Sequence, residues 1–376
     1  LEEPADDPAD NDGFVADPNN TSVLVDANDA VRYSDSVGHA MIERVTVEIG
    51  GHTFDTQYGE YLAIWEELSA KPAKELRHKI GKSEVADELS DWARDTQYLY
   101  VPMQFWFNRT LTQALPLIAL QYHEVRVTVT FRKKDELVVL DPEWADLGIA
   151  PVVGGEANCN ANKASRTGWC IDETSLKLNE RSGFEAMFLV DYVYLDTVER
   201  RLFAAQPHEY LIDQVQFTGV ETIKAKSSTH SYPMNFNHPT REIIWVLRDT
   251  TRVANPVYIP QGYDGCEPTE EGIKATGKAY IGGNNHFDFS GFHAPHDDSF
   301  FEAILQLNGH ARFQKRHSTY FRLVQPYQHH TRVPAKHIYV YCFALDPEDW
   351  KPSGSINFSR IDNVHLRFTF DYSGNN

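Results

Sequence analysis

The stretches V-E-I-G-G-H at 47–52 and L-Q-L-N-G-H at 305–310 decide the fold, because each reads as a strand that runs into a tight turn. The repetition extends further along the chain. Y-H-E-V at 122–125 runs into R-V-T-V-T-F, and I-D-N-V at 361–364 runs into H-L-R-F-T-F. Between these pairs, an aromatic run at 98–107 corresponds to 338–345. Strand-like fragments that recur in one order predict two copies of one β domain in tandem.

Composition agrees with a β protein and argues against one class of partner. The 376 residues include 18 Tyr and 21 Phe, which pack well on pleated sheets. The formal net charge is −19, whereas tight contact with a phosphate backbone needs clustered Lys and Arg. We therefore expect no direct nucleic-acid binding.

The four cysteines, Cys159, Cys170, Cys266 and Cys342, include no C-x-x-C pair, which disfavours a zinc ribbon. Cys159 and Cys170 could close a loop, whereas Cys342 lies inside a strand pattern and is typical of a small core residue. We favour four reduced thiols. The chain contains no apolar stretch of 18 residues.

Period-2 alternation predicts strands at 42–49 and, most clearly, at 124–132, where Val125, Val127, Val129 and Phe131 face inward. The aromatic run at 98–107 and the apolar run at 187–195 are also predicted strands. Residues 58–68 instead carry Tyr58, Tyr61, Leu62, Trp65 and Leu68 at three- and four-residue spacing, which predicts a helix.

Residues 196–210 predict a short helix stopped by Pro207, and we place the domain boundary there. The first domain is then 1–195, the linker 196–210 and the second domain 211–376. Further strands are expected at 211–218 and 241–248. Comparison of the two copies suggests a chain trimmed at both ends, with opening strands missing before the first copy and a closing strand missing after the second.

Three groups of residues could carry chemistry, and each has a plainer explanation. Residues 272–278 match the glycine and lysine positions of a phosphate-binding loop, but Ala279 replaces the hydroxyl residue and the flanks are turn-rich. Imidazoles and carboxylates within 13 residues could bind a divalent metal, or could form an exposed loop tip: His286, Asp288, His293, His296, Asp297 and Asp298. His329, His330 and His337 are weaker metal candidates. We expect no cofactor and no metal.

Asparagine sequons mark Asn19, Asn20, Asn108 and Asn357. The acidic segment around Asn19 and Asn20 is the most plausible site for a glycan, and Asn108 directly follows an aromatic run. Asn357 is expected to serve a turn instead.

Segments spread over nearly the whole chain resemble the double jelly-roll major capsid proteins of nucleocytoplasmic large DNA viruses, especially those of algae and amoebae. They are I-G-G-H-T-F-D-T-Q-Y-G-E-Y at 49–61, Y-V-P-M-Q-F-W-F at 100–107, A-L-P-L-I-A-L-Q-Y-H-E-V at 114–125, V-D-Y-V-Y-L-D-T-V-E-R-R-L-F at 190–203, P-H-E-Y-L-I at 207–212, N-F-N-H-P-T at 235–240, V-Q-P-Y at 324–327 and P-S-G-S-I-N-F-S-R-I-D-N at 352–363.

The resemblance implies an all-β protein of two tandem eight-stranded antiparallel jelly rolls, with short helices in its loops. It implies a homotrimer that forms a pseudo-hexagonal capsomer, and capsomers that tile an icosahedral shell. The implied partners are neighbouring capsomers, minor capsid or cement proteins and a penton protein, with an internal membrane beneath. It further implies a non-enzymatic late protein, glycosylated in some members, that is assembled in the host cytoplasm and resides in the virion.

Within that framework we expect structural roles for a small set of residues. Gly50, Gly51 and Gly309 set turns; Tyr58, Trp65 and Trp106 fill the first core; Pro207, His208 and Tyr210 bridge the two barrels. Two other functions remain open: a monomeric carbohydrate-binding β sandwich, and a cupin-like metalloenzyme with its metal near 286–298.

Overall fold

The computed structural model of the chain describes residues 31–71, 75–83, 96–133, 136–140, 184–224, 227–248, 286–287, 289 and 298–370. Several predicted features lie outside these residues. They are the sequons at Asn19 and Asn20, the cysteines Cys159, Cys170 and Cys266, the loop 272–278, and the metal candidates Asp288, His293, His296 and Asp297.

The first half of the chain forms a three-stranded antiparallel sheet. Its strands are β2 (Ile42–Ile49), β3 (His52–Tyr58) and β4 (Val125–Phe131), with β2 in the centre. A separate pair joins β1 (Val31–Tyr33) to β5 (Val138–Leu140).

The second half forms a larger antiparallel sheet in the order β10-β9-β14-β6, with β11 also beside β9. These strands are β6 (Thr229–Pro233), β9 (Glu302–Leu307), β10 (His310–Ala311), β11 (Arg316–His317) and β14 (Val364–Thr369).

Two short antiparallel pairs complete the second half. β7 (Pro239–Thr240) pairs with β13 (Ile356–Asn357). β8 (Glu242–Trp245) pairs with β12 (Tyr339–Cys342).

Both repeated turns are two-residue hairpins of the same kind. Gly50 and Gly51 have φ of 60° and 81°, and Asn308 and Gly309 have φ of 47° and 82°. Positive φ at both central residues defines a type I′ turn, which matches the twist of the flanking strands. The structure thus places Gly50, Gly51 and Gly309 in the turns that the sequence predicts.

The third strand of each repeat also docks in the same register. β4 pairs with β2, and β14 pairs with β9, so that the residue before each turn faces the first residue of the third strand: Ile49 faces Val125, and Leu307 faces Val364. One backbone hydrogen bond recurs with it, from Gly50 N to Glu124 O at 2.9 Å and from Asn308 N to Asn363 O at 2.7 Å. The sequence repeat is therefore a repeat of structure.

The helices are short and lie between strands: α1 (Val37–Ala40), α2 (Gly59–Ser69), α3 (Trp106–Arg109), α4 (Thr197–Ala205) and α5 (Gln325–His329), with 3₁₀ turns at Arg77–Ile80, Leu111–Gln113 and Phe358–Arg360 and a π turn at Tyr320–Val324. The helix predicted at 58–68 is confirmed as α2. The helix predicted within 196–210 is confirmed as α4, which starts with a capping box between Asp196 and Glu199 and ends before Pro207.

Three predicted strands are wrong. Residues 98–104 form no strand; Tyr100 N donates to Lys79 O in a 3₁₀ turn at 2.7 Å, and the run then continues into α3. Residues 187–195 form no strand and pair with none among the described residues. Residues 211–218 form no strand either, and Val215 N donates to a side chain, Asp55 Oδ1, at 2.9 Å. Apolar composition favours extended backbone, but a ladder also needs a neighbouring strand.

Two predicted core residues are more exposed than expected. Phe131, the last residue of β4, is exposed, and its ring contacts Phe184 with centroids 4.9 Å apart. Tyr58 is half-buried and contacts Phe217 at 5.0 Å. Trp65 and Trp106 are buried as predicted.

Each half has its own apolar core. In the first half, the buried residues of β2, Ile42, Val45 and Val47, pack on three residues that follow the strand in the chain, Leu62, Phe105 and Trp106. In the second half, aromatic rings dominate the cluster, including Phe300, Phe321, Tyr339, Phe358 and Phe368.

Candidate functional site at the junction of the two halves

A third apolar cluster is built by both halves of the chain, and we call it the shared cluster. The first half contributes Val37, Ala40, Ala63, Ile64, Leu68 and Leu137, and the second contributes Phe287, Phe289, Ile338, Val340 and Cys342. Burial of apolar surface contributes about 25 cal/mol per Å². Because side chains of both halves are buried against one another in this cluster, it joins the two halves.

Helix α2 connects the first core to the shared cluster. Leu62 belongs to the first core, whereas Leu68, near the other end of the same helix, belongs to the shared cluster. The helix starts at Gly59, where a Cβ atom would collide with the carbonyl oxygens of His39 and Ile42. Only glycine allows this close approach, which presses the start of α2 against the end of α1.

A partly buried ion cluster lies at the same end of α2. Glu60 Oε1 lies 2.7 Å from Arg132 and 3.5 Å from Arg248 of the second half. Arg132 also donates to the carbonyl oxygens of Ala40 and Ile42, at 2.6 and 3.2 Å. The Glu60 carboxylate and the Arg132 guanidinium together connect the end of β4, α1 and the segment after β8.

Asp213, near the start of the second half, forms a second ionic link. Its carboxylate lies 3.0 Å from Arg241 of the second half and 3.7 Å from Arg109 of the first. Burial raises the pKa of Asp213, and the two guanidinium groups oppose that shift. Arg109 also donates to Tyr61 Oη at 3.0 Å and lies over the ring of Trp65, 4.3 Å from its centroid. The start of the second half is thus attached to the first half.

Two further ion pairs cross the junction beside the shared cluster. Arg332 lies 2.8 Å from Glu75, and Lys336 lies 2.7 Å from Asp35. The backbone N–H of Arg332 also donates to the carbonyl of Leu68 at 3.0 Å. These bonds attach the segment before β12 to the first half.

A polar cluster surrounds His330, whose side chain is fully buried. Its Nε2 lies 2.9 Å from Glu242 Oε2, and its Nδ1 lies 3.0 Å from Glu348 Oε1. Cys342 Sγ lies 3.7 Å from the same Nε2 and 3.8 Å from Glu242 Oε2. Although burial opposes the charged form, hydrogen bonds to Cys342 and both carboxylates raise the pKa of His330 to about 11. Burial raises the pKa of Cys342 to about 11 as well.

The other metal candidates from the sequence do not converge within the described residues. His286 Nε2 lies 2.7 Å from the carbonyl of Glu136, and burial lowers its pKa. Asp298 instead binds Arg322 at 2.6 Å and Ser318 at 2.7 Å. His329 Nδ1 lies 2.9 Å from the carbonyl of Leu345, while His337 is buried beside Asp298.

The segment 184–195 is the most exposed apolar stretch of the described chain, and we call it the apolar segment. Its exposed residues are Phe184, Met187, Phe188, Leu189, Val190, Tyr192, Val193 and Tyr194, and Tyr194 reaches 92% exposure. A contiguous patch of this kind marks an interaction surface.

The remaining predicted residues fall in different environments. Pro207 is exposed; His208 bonds to the carbonyl of Phe203 at 2.7 Å and lies 6.5 Å from the ring of Tyr210. Asn108 is exposed in α3. Asn357 Oδ1 accepts from Ser359 N at 3.0 Å, so it caps the 3₁₀ turn Phe358–Arg360, as predicted for a turn residue.

Two family models match the chain in succession. The model described as "Major capsid protein N-terminus" matches residues 17–196, and the model described as "Large eukaryotic DNA virus major capsid protein" matches residues 199–376. No helix among the described residues is long and apolar enough to cross a membrane.

Curated proteins of algal viruses are similar over most of their length. The major capsid protein of Phaeocystis pouchetii virus is 33% identical, with 89% of this chain and 75% of that protein covered. That of Pyramimonas orientalis virus is 34% identical, with 88% and 69% covered. That of Paramecium bursaria Chlorella virus 1 is 32% identical, with 88% and 67% covered.

Solved capsid structures share the fold. A quasi-atomic model of the PBCV-1 virus capsid is 30% identical and has a TM-score of 0.60, with 90% of this chain and 75% of that chain covered. The Faustovirus major capsid protein has a TM-score of 0.55 at 12% identity, with 91% and 70% covered, which shows likeness of fold alone.

Proposed function

Because this chain belongs to the family of large eukaryotic DNA virus major capsid proteins, we propose that it is a structural subunit of an icosahedral virion shell. The observation that carries this function is the repeated strand–turn–strand unit in two copies that are joined through the shared cluster. A shell subunit needs lobes of fixed relative position, and the partly buried ion pairs of Glu60 and Asp213 support such a junction.

We propose that three copies form a ring-shaped, pseudo-hexagonal capsomer. Two similar lobes per chain, taken three times, give six near-equivalent lobes that can occupy a hexagonal position. Head-to-tail contacts that close under three-fold rotation form such a ring. Neighbouring capsomers, minor capsid or cement proteins and a penton protein would then complete the shell.

The finer architecture is part of the same proposal. We assign residues 1–195 and 211–376 to one eight-stranded jelly roll each, joined by the linker 196–210. The two family models, which match on either side of 196–199, support this division. In this architecture the short helices lie in loops between strands. We propose a structural role for the chain and no enzymatic activity. Glycans at Asn19, Asn20 or Asn108 and late synthesis also belong to the proposal.

The net charge of the chain and its family membership suggest where it lies in the virion. A net charge of −19 opposes direct contact with DNA, so we place the genome behind another layer, an internal membrane. Assembly would occur in the host cytoplasm, and the mature protein would reside in the capsid shell.

We propose that the apolar segment lies in the contacts between copies. Eight of its apolar side chains are exposed, and one of them, Phe184, contacts Phe131 of β4 with ring centroids 4.9 Å apart. Exposed apolar surface of this extent gains free energy when a second copy covers it.

The native mass in solution tests the capsomer directly. One chain weighs 42.9 kDa, so a species of about three times that mass, stable on dilution, is expected by analytical ultracentrifugation. A monomer at every concentration would contradict the homotrimer.

A matched pair of substitutions tests the place of the apolar segment. Leu189 is 73% exposed inside the segment, and Leu345 is 76% exposed outside it. Leu189→Lys is expected to raise the dissociation constant of the trimer at least about tenfold, since one buried lysine costs more than about 1.4 kcal/mol. Leu345→Lys should leave this constant unchanged. Trimers that persist in Leu189→Lys, with unchanged circular dichroism, would exclude the segment from the contacts.

A further inference from the structure

The His330 cluster contains three different metal-binding atoms that come from separate parts of the fold. Glu242 Oε2, His330 Nε2 and Cys342 Sγ all lie within 4.8 Å of one another. Carboxylate, imidazole and thiolate are the three ligand types that Zn²⁺ binds in proteins. The carboxylates of Glu60 and Asp213 are instead paired with arginines, and Asp298 binds Arg322, Ser318 and Tyr339, with His337 at 3.9 Å.

We propose that Glu242, His330 and Cys342 form a mononuclear zinc site in the second half of the chain. The spacing of their ligand atoms supports it. With Zn–S near about 2.3 Å and Zn–N and Zn–O near about 2.0 to 2.2 Å, tetrahedral geometry separates the ligand atoms by about 3.4 to 3.6 Å. The three distances here are 2.9, 3.7 and 3.8 Å. Shifts of about half an ångström therefore suffice for coordination.

The supporting backbone holds these ligands in place. Glu242 and Cys342 are direct partners in the β8–β12 ladder, so their side chains start from fixed neighbouring positions. The backbone N–H of Cys342 donates to Gln325 Oε1 at 2.9 Å, which ties the strand to α5. His330 directly follows α5. Sites on rigid elements hold ligand geometry better than sites on loops.

Glu348 supplies the partner that a metal-binding histidine requires. It accepts a hydrogen bond at His330 Nδ1, which fixes the ring and directs Nε2 toward Glu242 and Cys342. The backbone N–H of Thr331 donates to Glu348 Oε1 at 2.9 Å and holds that carboxylate. The arrangement is the carboxylate–histidine–metal relay found around protein zinc.

The surroundings of His330 also suit a divalent ion. Two carboxyl groups, those of Glu242 and Glu348, lie within hydrogen-bond distance of its two ring nitrogens. Three protein ligands leave a fourth position for a water molecule, and sulfur and nitrogen ligands select Zn²⁺ over Mg²⁺ or Ca²⁺.

Cobalt substitution tests the site through the thiolate itself. The full-length chain is treated with chelator, freed of it and titrated with Co²⁺ under reducing conditions. We expect one equivalent to bind with a thiolate-to-cobalt charge-transfer band and the strong visible absorption of tetrahedral cobalt, both removed by equimolar Zn²⁺. Zinc should also raise the melting temperature, because it binds the folded state. The absence of the charge-transfer band would overturn the proposal.

Cysteine variants test whether Cys342 is the thiolate that produces the charge-transfer band. Cys342→Ser should abolish it, whereas the triple variant Cys159→Ser, Cys170→Ser and Cys266→Ser leaves Cys342 as the only thiol and should keep it. Glu348→Gln should weaken Co²⁺ binding about 10- to 100-fold. A band that persists in Cys342→Ser, or disappears in a folded triple variant, would place the metal elsewhere. Because these two variants act on different cysteines, either one decides the question if the other does not fold.

Discussion

At the residue scale, His39 links the fold of the junction to pH. Its side chain is buried, and its Nδ1 has no hydrogen-bond partner in the described part of the chain. Burial and the nearby Lys82 and Lys336 lower its pKa to about 3, while Asp35 opposes them. The folded state therefore keeps His39 neutral, whereas the unfolded chain binds a proton near pH 6.5. Between about pH 6.5 and pH 3 the unfolded state holds more protons, so stability falls as the pH falls.

We predict that this histidine contributes a stability loss of about 1 kcal/mol per pH unit between pH 6 and pH 4. His39→Gln should remove that contribution, and His52→Gln, at an exposed position, should not. Urea unfolding of the three proteins at several pH values measures the difference. Equal pH dependence in all three would mean that His39 is charged or solvated in the folded state.

The sequence identifies residues whose role is local and misses those whose role depends on distant partners. The turn roles of Gly50, Gly51 and Gly309 are predicted because adjacent residues determine a turn. The role of Glu242 is not predicted, since it depends on a contact with Cys342, which lies 100 residues later in the chain. Asp213 is missed for the same reason, because both of its arginine partners lie far away in the sequence.

At the element scale, hairpins and amphipathic helices are predictable because their signals are periodic and local. β2, β4 and α2 follow the predicted residues closely. The errors at 98–107, 187–195 and 211–218 share one cause, which is that each run has strand-like composition without a strand beside it among the described residues. Register and pairing depend on the neighbouring strand, and composition alone does not contain that information.

The turn at 307–310 gives an element-scale prediction. Gly309 has φ of 82°, and a Cβ there would meet nothing within 4 Å, so Gly309→Ala carries only the backbone cost of a left-handed conformation. We expect a loss of about 1 kcal/mol in the free energy of unfolding. Asn308→Gly, which keeps positive φ accessible and restores the Gly-Gly pair of the first turn, should change stability by less than about 0.5 kcal/mol. Equal losses in both variants, measured by denaturant unfolding, would mean that the Asn308 side chain stabilises the turn, since its Oδ1 accepts from Asn363 N.

At the scale of the whole molecule, family resemblance predicted more than periodicity could. The internal repeat predicts two β units, but their sheet order and the way they join come from packing between distant residues. The shared cluster illustrates this: Leu68 and Ile338 lie in the same buried cluster although they are widely separated in sequence. The junction is therefore visible only in the folded chain, and it determines whether the halves unfold together.

The two leucines of α2 test that coupling. We expect the native chain to unfold in one calorimetric transition, because apolar and ionic contacts join its halves. Leu68→Ala opens a cavity in the shared cluster and should separate the transition into two, at a cost of about 2 to 5 kcal/mol. Leu62→Ala, on the same helix but in the first core, should cost a similar amount and keep one transition. Both leucine side chains are almost fully buried, so the two substitutions remove the same buried volume. If Leu62→Ala also divides the transition, or Leu68→Ala leaves it single, the shared cluster is not what couples the halves, and the ion pairs of Glu60 and Asp213 become the principal connection.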